Sequence, residues 1–167
     1  MIGDEFHRCV EEYLDGRCFL VSCDISYNMT RRIEGMMKSF IRWANSIDGV
    51  IYATELKVVS RRYAYSGTLD AVGKIGGKLV ILDWKTSSRI YSDMQFQLAA
   101  YSEAYNEWAE LKADRVSDGL IVHVSKDKPN FKCTTKAFRL GKRPFNKFLR
   151  LRENFDDVRR LPTTMKT

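Results

Sequence analysis

The chain has 167 residues, 44% hydrophobic and 29% charged, which excludes a disordered chain and suits one domain with its own core. No apolar run is long enough to span a membrane and no signal peptide opens the chain, so an intracellular, cytoplasmic protein is expected. The net charge of +7 is lopsided: from Lys126 onward 13 Lys or Arg stand against 4 Asp or Glu, a basic third that either meets a polyanion or is a solvated face.

Asp4 to Asp15 reads as a helix, with Phe6, Cys9, Val10, Tyr13 and Leu14 on one stripe and Gly16 to end it. His7 borders that stripe; it is either structural or an imidazole able to reach a sheet. A second helix is expected from Thr30 to about Ser46, with Ile33, Met36, Met37, Phe40, Ile41 and Ala44 inward and Asn28 or Thr30 as cap. Then Val50 to Ser60, Tyr63 to Ile75 and Lys78 to Lys85 are rich in β-branched and aromatic residues, and read as strands. From Ser92 to Lys112 the pattern is helical again, capped by Ser92 or Asp93. Gln97 and Tyr101 share a face of that helix, either as surface and core positions or as contacts to a phosphate or base. Leu120 to Val124 and Phe131 to Thr135 read as short strands around the Lys126–Asn130 loop, with His123 hydrogen-bonding locally. Pro144 to about Val158 reads as a basic helix in which Phe145 and Phe148 pack into the core.

That order predicts an α/β domain with a mixed central sheet flanked by helices. No repeat or linker divides it, so residues 1–167 form a single domain: a helical part at 1–48, a sheet-bearing core at 49–136 and a basic C-terminal helix at 137–167. Cys9, Cys18, Cys23 and Cys133 show no C-x-x-C spacing, which signals neither zinc nor an iron–sulfur cluster and leaves reduced thiols. No G-x-G-x-x-G follows a strand, which argues against a dinucleotide enzyme.

Gly76-Gly77 suits a two-residue hairpin turn, because both positions can take positive φ. The register that follows sets Val72 across from Ile81, Asp70 across from Asp83 and Thr68 across from Lys85. Alternation then puts Thr68, Asp70, Asp83 and Lys85 on one face, and Leu69, Ala71, Leu82 and Trp84 on an apolar face that packs on helices. Opposed carboxylates with Cβ atoms about 4.5–5.5 Å apart repel. Either one holds a proton or a divalent cation sits between them, and hard oxygen donors beside a lysine point to Mg²⁺ or Mn²⁺. The alternative is that Asp70 lies beyond the strand end and Asp83 pairs with Lys85. A tight turn near Arg61-Arg62 would set Glu55 across from Thr68, beside the aspartates; otherwise Glu55 is an exposed strand acid.

Gly67-Thr-Leu-Asp70, then Asp83-Trp-Lys85, then Gln97-x-x-x-Tyr101 resemble the motifs of the PD-(D/E)XK nuclease superfamily. Gly3-Asp-Glu-Phe-His7 and Glu55 narrow the resemblance to its RecB-type exonuclease branch, whose members carry a G-x-x-x-H helix and a strand glutamate. The resemblance covers about residues 3–105. It implies a restriction-endonuclease-like core and a Mg²⁺- or Mn²⁺-dependent DNA nuclease, an exonuclease, with one or two ions. His7, Asp70, Asp83 and the main-chain carbonyl of Trp84 are the implied metal ligands, with Glu55 bound through water or to a second ion. Lys85 is the implied catalytic lysine, acting with Asp70, Asp83 and Glu55, while Gln97 and Tyr101 position DNA.

Some relatives hold an iron–sulfur cluster on one early and three late cysteines; here only Cys133 is late, so none is expected. Relatives also carry more chain ahead of the histidine helix, so a truncated, compact or phage-type minimal nuclease, bacterial or phage-encoded, is expected. Lys136, Arg139, Lys142, Arg143, Lys147 and Arg150 are expected to track the backbone of single- or double-stranded DNA. The competing readings are a DNA-binding module without catalysis, and a docking subunit whose protein partner belongs to a helicase–nuclease complex of recombination or repair.

Overall fold

The computed structural model describes residues 1–109, 114–127 and 130–160, with 156–160 as backbone alone. The elements follow the predicted order: α1 (Ile2–Leu14), α2 (Tyr27–Ala44), β1 (Gly49–Ser60), β2 (Tyr65–Ile75), β3 (Lys78–Lys85), α3 (Met94–Asn106), β4 (Asp118–Val124), β5 (Cys133–Arg139) and α4 (Lys142–Arg160). The strands form one five-stranded sheet in the order β1-β2-β3-β4-β5. Every neighbouring pair is antiparallel except β3–β4. That pair is parallel because α3 carries the chain back across the sheet between them.

The two sheet faces are buried differently. On one face Phe6, Cys9 and Val10 of α1 and Ile33, Met36, Met37 and Phe40 of α2 pack on Ala71, Val80, Leu82, Trp84, Val122 and Val124. Phe40 is the hub, with ring centroids 6.1 Å from Phe6, 5.4 Å from Trp43 and 5.3 Å from Trp84. Truncating a fully buried aromatic of this kind costs about 3–5 kcal/mol. On the other face Leu98, Ala99 and Ala104 of α3 and Phe145 of α4 meet Val58, Leu69, Val72, Ile81 and Ile121. Phe145 and Phe148 are core residues, as expected, stacked on each other and edge-on to Tyr63 and Tyr65. Among the described residues no helix is long and apolar enough to cross a membrane.

Several boundaries differ from the sequence expectation for identifiable reasons. Ser26, in extended conformation, precedes α2, so Asn28 and Thr30 lie inside the helix, and the Thr30 hydroxyl donates back to the Ser26 carbonyl at 3.3 Å. Helix α3 ends at Asn106 because the next residues turn to serve the β1–β2 connection. Glu107 accepts from the Ser60 hydroxyl and from the Arg61 amide, and the Trp108 indole donates to the Val59 carbonyl at 2.8 Å. The predicted helical residues 110–112 lie outside the described residues, as do Lys128 and Pro129 of the β4–β5 loop and residues 161–167. Residues 137–139 finish β5 rather than open the last helix. His123, expected to bond locally, spans the fold: its Nε2 donates to the Ser87 carbonyl at 2.7 Å, and Nδ1 lies 3.3 Å from the Thr134 hydroxyl.

Candidate active site

Gly76 and Gly77 both take positive φ, +53° and +79°, and the register of β2 and β3 is the one the turn predicts as far as the Ala71–Leu82 pair. At the next position the ladder stops. The Trp84 amide instead donates at 2.6 Å to Oδ2 of Asp70, so a carboxylate replaces a backbone acceptor.

On the other flank of β2, Glu55 sits opposite Asp70, between the Thr54–Ala71 and Leu56–Leu69 pairs, with φ at +48°. A non-glycine residue in that region costs about 1–2 kcal/mol. The pleat changes phase there, and this corrects two expectations. Leu69 packs with the α3/α4 core rather than with Ala71, Leu82 and Trp84 on the α1/α2 side. Glu55 faces Asp70 rather than Thr68, whose partner is Lys57, because the β1–β2 turn spends four residues, Arg61 to Ala64, instead of two.

Asp83 is 2% exposed. The Lys85 ammonium hydrogen-bonds its Oδ1 at 2.9 Å and lies 2.7 Å from Oδ2, which is buried and accepts no hydrogen bond. Lys85 also donates to Oε1 of Gln97 at 3.1 Å, and Nε2 of Gln97 donates to the Tyr101 hydroxyl at 2.9 Å. The Tyr101 ring lies so close to Gly67 that a Cβ there would come within 2.6 Å of it. Gly67, Tyr101, Gln97, Lys85 and Asp83 thus form one chain of contacts that fixes the lysine head. From α1, Nδ1 of His7 approaches Oδ2 of Asp70 at 3.6 Å.

The electrostatics share one sign. Burial, then the charge of Asp70, pushes Asp83 from 3.8 up to about 6 in spite of Lys85. Burial and Asp70 also raise Glu55. Burial pulls His7 down, but the hydrogen bond and charge of Asp70 and the charge of Asp83 outweigh it and leave His7 raised. Burial is the larger cause for Asp83 and Glu55 and the neighbouring carboxylates add to it, whereas at His7 the carboxylates prevail over burial.

No three His, Cys, Asp or Glu side chains converge on one point among the described residues. The donors present are carboxylate oxygens with one imidazole nitrogen, and Oδ2 of Asp83 is buried with only the Lys85 ammonium near it. That set fits a small divalent cation, which takes one or two carboxylates and keeps water for its other positions.

The pocket in front of these groups has a volume of about 680 Å³ and is lined by His7, Glu55, Asp70, Trp84 and Lys85. It is also lined by Thr86, Ser87 and Lys126, which sequence reasoning passed over. No local pattern marks them; the β3–β4 pairing brings them there, because two parallel strands end side by side and ligands of α/β sheets bind at such carboxyl ends.

Arg139, Lys142, Arg143 and Lys147 line a second groove of about 540 Å³ with Gln95 and Phe96. The Lys147 ammonium lies 5.5 Å from the Phe96 ring centroid, and Arg139 pairs with Asp118 at 3.1 Å. Lys136 lies apart, over Phe138 on β5, and Arg150 is exposed on α4. All four cysteines are unpaired; burial raises the thiols of Cys9 and Cys133 to about 11.

The family model of the PD-(D/E)XK nuclease superfamily matches residues 5–164. Mitochondrial genome maintenance exonuclease 1 of Mus musculus is 33% identical over 135 residues, covering 75% of this chain and 37% of that protein. Its Homo sapiens counterpart is 33% identical over 131 residues, covering 75% of this chain and 36% of that protein. The chain therefore spans little more than a third of these relatives. A crystal structure of a candidate exonuclease from Eubacterium rectale shares the fold, with a TM-score of 0.61 at 13% identity over 96% of this chain and 67% of that one.

Proposed function

Because this chain belongs to the PD-(D/E)XK nuclease superfamily, we propose that it is a metal-dependent deoxyribonuclease, an exonuclease that hydrolyses DNA phosphodiester bonds. A Mg²⁺ or Mn²⁺ ion would be held by Asp70, Asp83, His7 and the Trp84 carbonyl, with water completing its shell and Glu55 reached through water or at a second ion, and would supply Lewis acidity toward a phosphate oxygen and a more acidic water. Lys85, tethered by Asp83 and Gln97, holds its ammonium where negative charge grows on the phosphorus oxygens and where an attacking water is oriented. Water oxygen bonds to phosphorus as the water gives up a proton, the bond to the 3′ oxygen breaks, and the leaving oxygen takes up a proton. Gln97 and Tyr101 hold Lys85 and stand beside the strand that enters. Arg139, Lys142, Arg143 and Lys147, gathered in one groove, supply sequence-independent backbone affinity, and Lys136 extends it along β5.

The observation that carries this reading is the buried Asp83 carboxylate held against Lys85 just past the last β2–β3 pair, with the Asp70 carboxylate on the Trp84 amide beside it. The test is cleavage of labelled single- and double-stranded DNA, with open and blocked ends, in Mg²⁺, Mn²⁺ or chelator. Cleavage should need the ion and an open end, and Lys85→Ala should lower it by about 10²–10³-fold. Undiminished cleavage by Lys85→Ala, or cleavage in chelator, overturns the reading.

A further inference from the structure

We infer that the carboxyl end of β4 carries a second phosphate subsite, with Lys126 as its cation, which holds a phosphodiester of the substrate strand next to the one being cleaved. The inference rests on the nuclease reading above and adds a residue to it.

Strands β3 and β4 are parallel, with Lys85 paired to His123, so the chain leaves both strands at the same edge of the pocket. Lys85 ends β3, and Lys126 follows β4 at the matching edge. The two exits are pinned together. The Lys126 amide donates to the Thr86 carbonyl at 3.3 Å, and Nε2 of His123 donates to the Ser87 carbonyl at 2.7 Å. Arg32 of α2 donates to the Lys126 carbonyl from the other side. The turn itself is closed by the Asp127 amide on the hydroxyl of Ser125, which is 2% exposed. The Lys126 backbone is therefore fixed from α2, from the end of β3 and from its own turn.

The side chain has no such employment. Of the cations that line the pocket, His7 meets Asp70, Arg8 is shared by Glu5 and Glu12, and Lys85 is held by Asp83. Lys126 has no ion pair among the described residues, yet it lines the same pocket as Asp70, Lys85 and Thr86. The Thr86 hydroxyl lies against α1: a Cβ on Gly3 would sit 3.1 Å from it. A pocket that gathers acids repels a polyanion except where a free cation meets it. One ammonium on an immobilised backbone, without an ion pair among the described residues and lining the same pocket as Thr86, is built to take a phosphate oxygen.

The test uses Lys126→Ala and Lys126→Arg in the full chain. Affinity for a labelled single-stranded oligonucleotide is read over a salt series in the Lys85→Ala background with Mg²⁺, and steady-state cleavage is read with Lys85 intact. Lys126→Ala should flatten the slope of log affinity against log salt by about 0.7, the release expected for one phosphate contact on a single strand. It should raise KM about tenfold and lower kcat less than threefold, and Lys126→Arg should restore most of both losses. A salt slope and KM equal to the parent's overturn the subsite. So does a loss that Lys126→Arg fails to restore and that accompanies a lower melting temperature, because Lys126 is then structural. A parent that does not cleave in either ion takes down the nuclease reading itself, whereas a cleaving parent with an indifferent Lys126→Ala takes down the subsite alone.

Discussion

The two ends of the β2–β3 hairpin obey opposite rules. At the Gly76-Gly77 end every facing pair from Ile75–Lys78 to Ala71–Leu82 is in the ladder, alternation holds, and the inward positions are apolar. At the other end a carboxylate replaces a ladder acceptor, the pleat slips at Glu55 and Asp70, and an acid is buried beside a lysine. Each departure costs stability alone, and together they converge on one pocket. The contrast teaches where function sits: regular pairing at one end and the dry Phe40–Trp84 cluster beneath hold a strained, charged end in place.

The largest expected effect breaks the charged end. Asp83→Asn removes the buried carboxylate and should lower cleavage at least about 10²-fold. In chelator the same substitution should stabilise the protein at neutral pH. Folded Asp83 titrates near 6 and its ordinary value is 3.8, so the folded state binds more protons between those limits. The stability linked to that proton is fully present below about pH 3.8 and is lost as pH rises through 6. Parent and Asp83→Asn should therefore draw apart as pH rises from about 4 through about 6 and keep a constant gap above it, with the variant more stable by about 1–3 kcal/mol. Thermal melts in chelator across that range check it, and a variant less stable at pH 7 than its parent would count against an unbalanced negative site.

A smaller effect should follow from the contact chain that holds Lys85. Gly67→Ala puts a Cβ into the Tyr101 ring, which must shift and take Gln97 with it. Overpacking of this kind costs about 1–3 kcal/mol. Cleavage should fall about tenfold, more than DNA affinity does, because the displaced group is the lysine head and not a backbone contact. Parallel measurement of kcat and affinity separates the two. Equal losses in both would mean that Tyr101 and Gln97 act mainly on the strand.

Much of the regular end was legible in the sequence. The Gly-Gly turn fixes a register, apolar periodicity fixes which helix faces meet the sheet, and the element order follows from both. The motif positions His7, Asp70, Asp83, Lys85, Gln97 and Tyr101 were legible as residues, and the fold brings them to one edge of the sheet. The phase slip was not legible, because it depends on Glu55 adopting a left-handed conformation that its residue type disfavours. The partner of Glu55 was misplaced because Arg61-Arg62 carries no turn signal and the turn is closed from outside, by Glu107. Lys126 was passed over because its place depends on which strand lies beside β3, a tertiary fact with no local pattern.

The smallest effect tests whether the two ends are independent. Gly77 has φ +79°, and a Cβ added there would meet nothing within 4 Å, so Gly77→Ala meets conformational cost and no clash. It should destabilise by about 1–2 kcal/mol. Gly76→Asn, at φ +53° and equally open, should cost less, because Asn tolerates the left-handed region through its short polar side chain. Neither should move cleavage by more than about twofold, since the register is also held by the β1 pairing on one flank of β2 and the β4 pairing on the other flank of β3. Denaturant melts and cleavage assays on both variants decide it. If Gly77→Ala lowers cleavage in proportion to stability, the turn and the acids form one cooperative unit, and the ordered end does more than support the strained one.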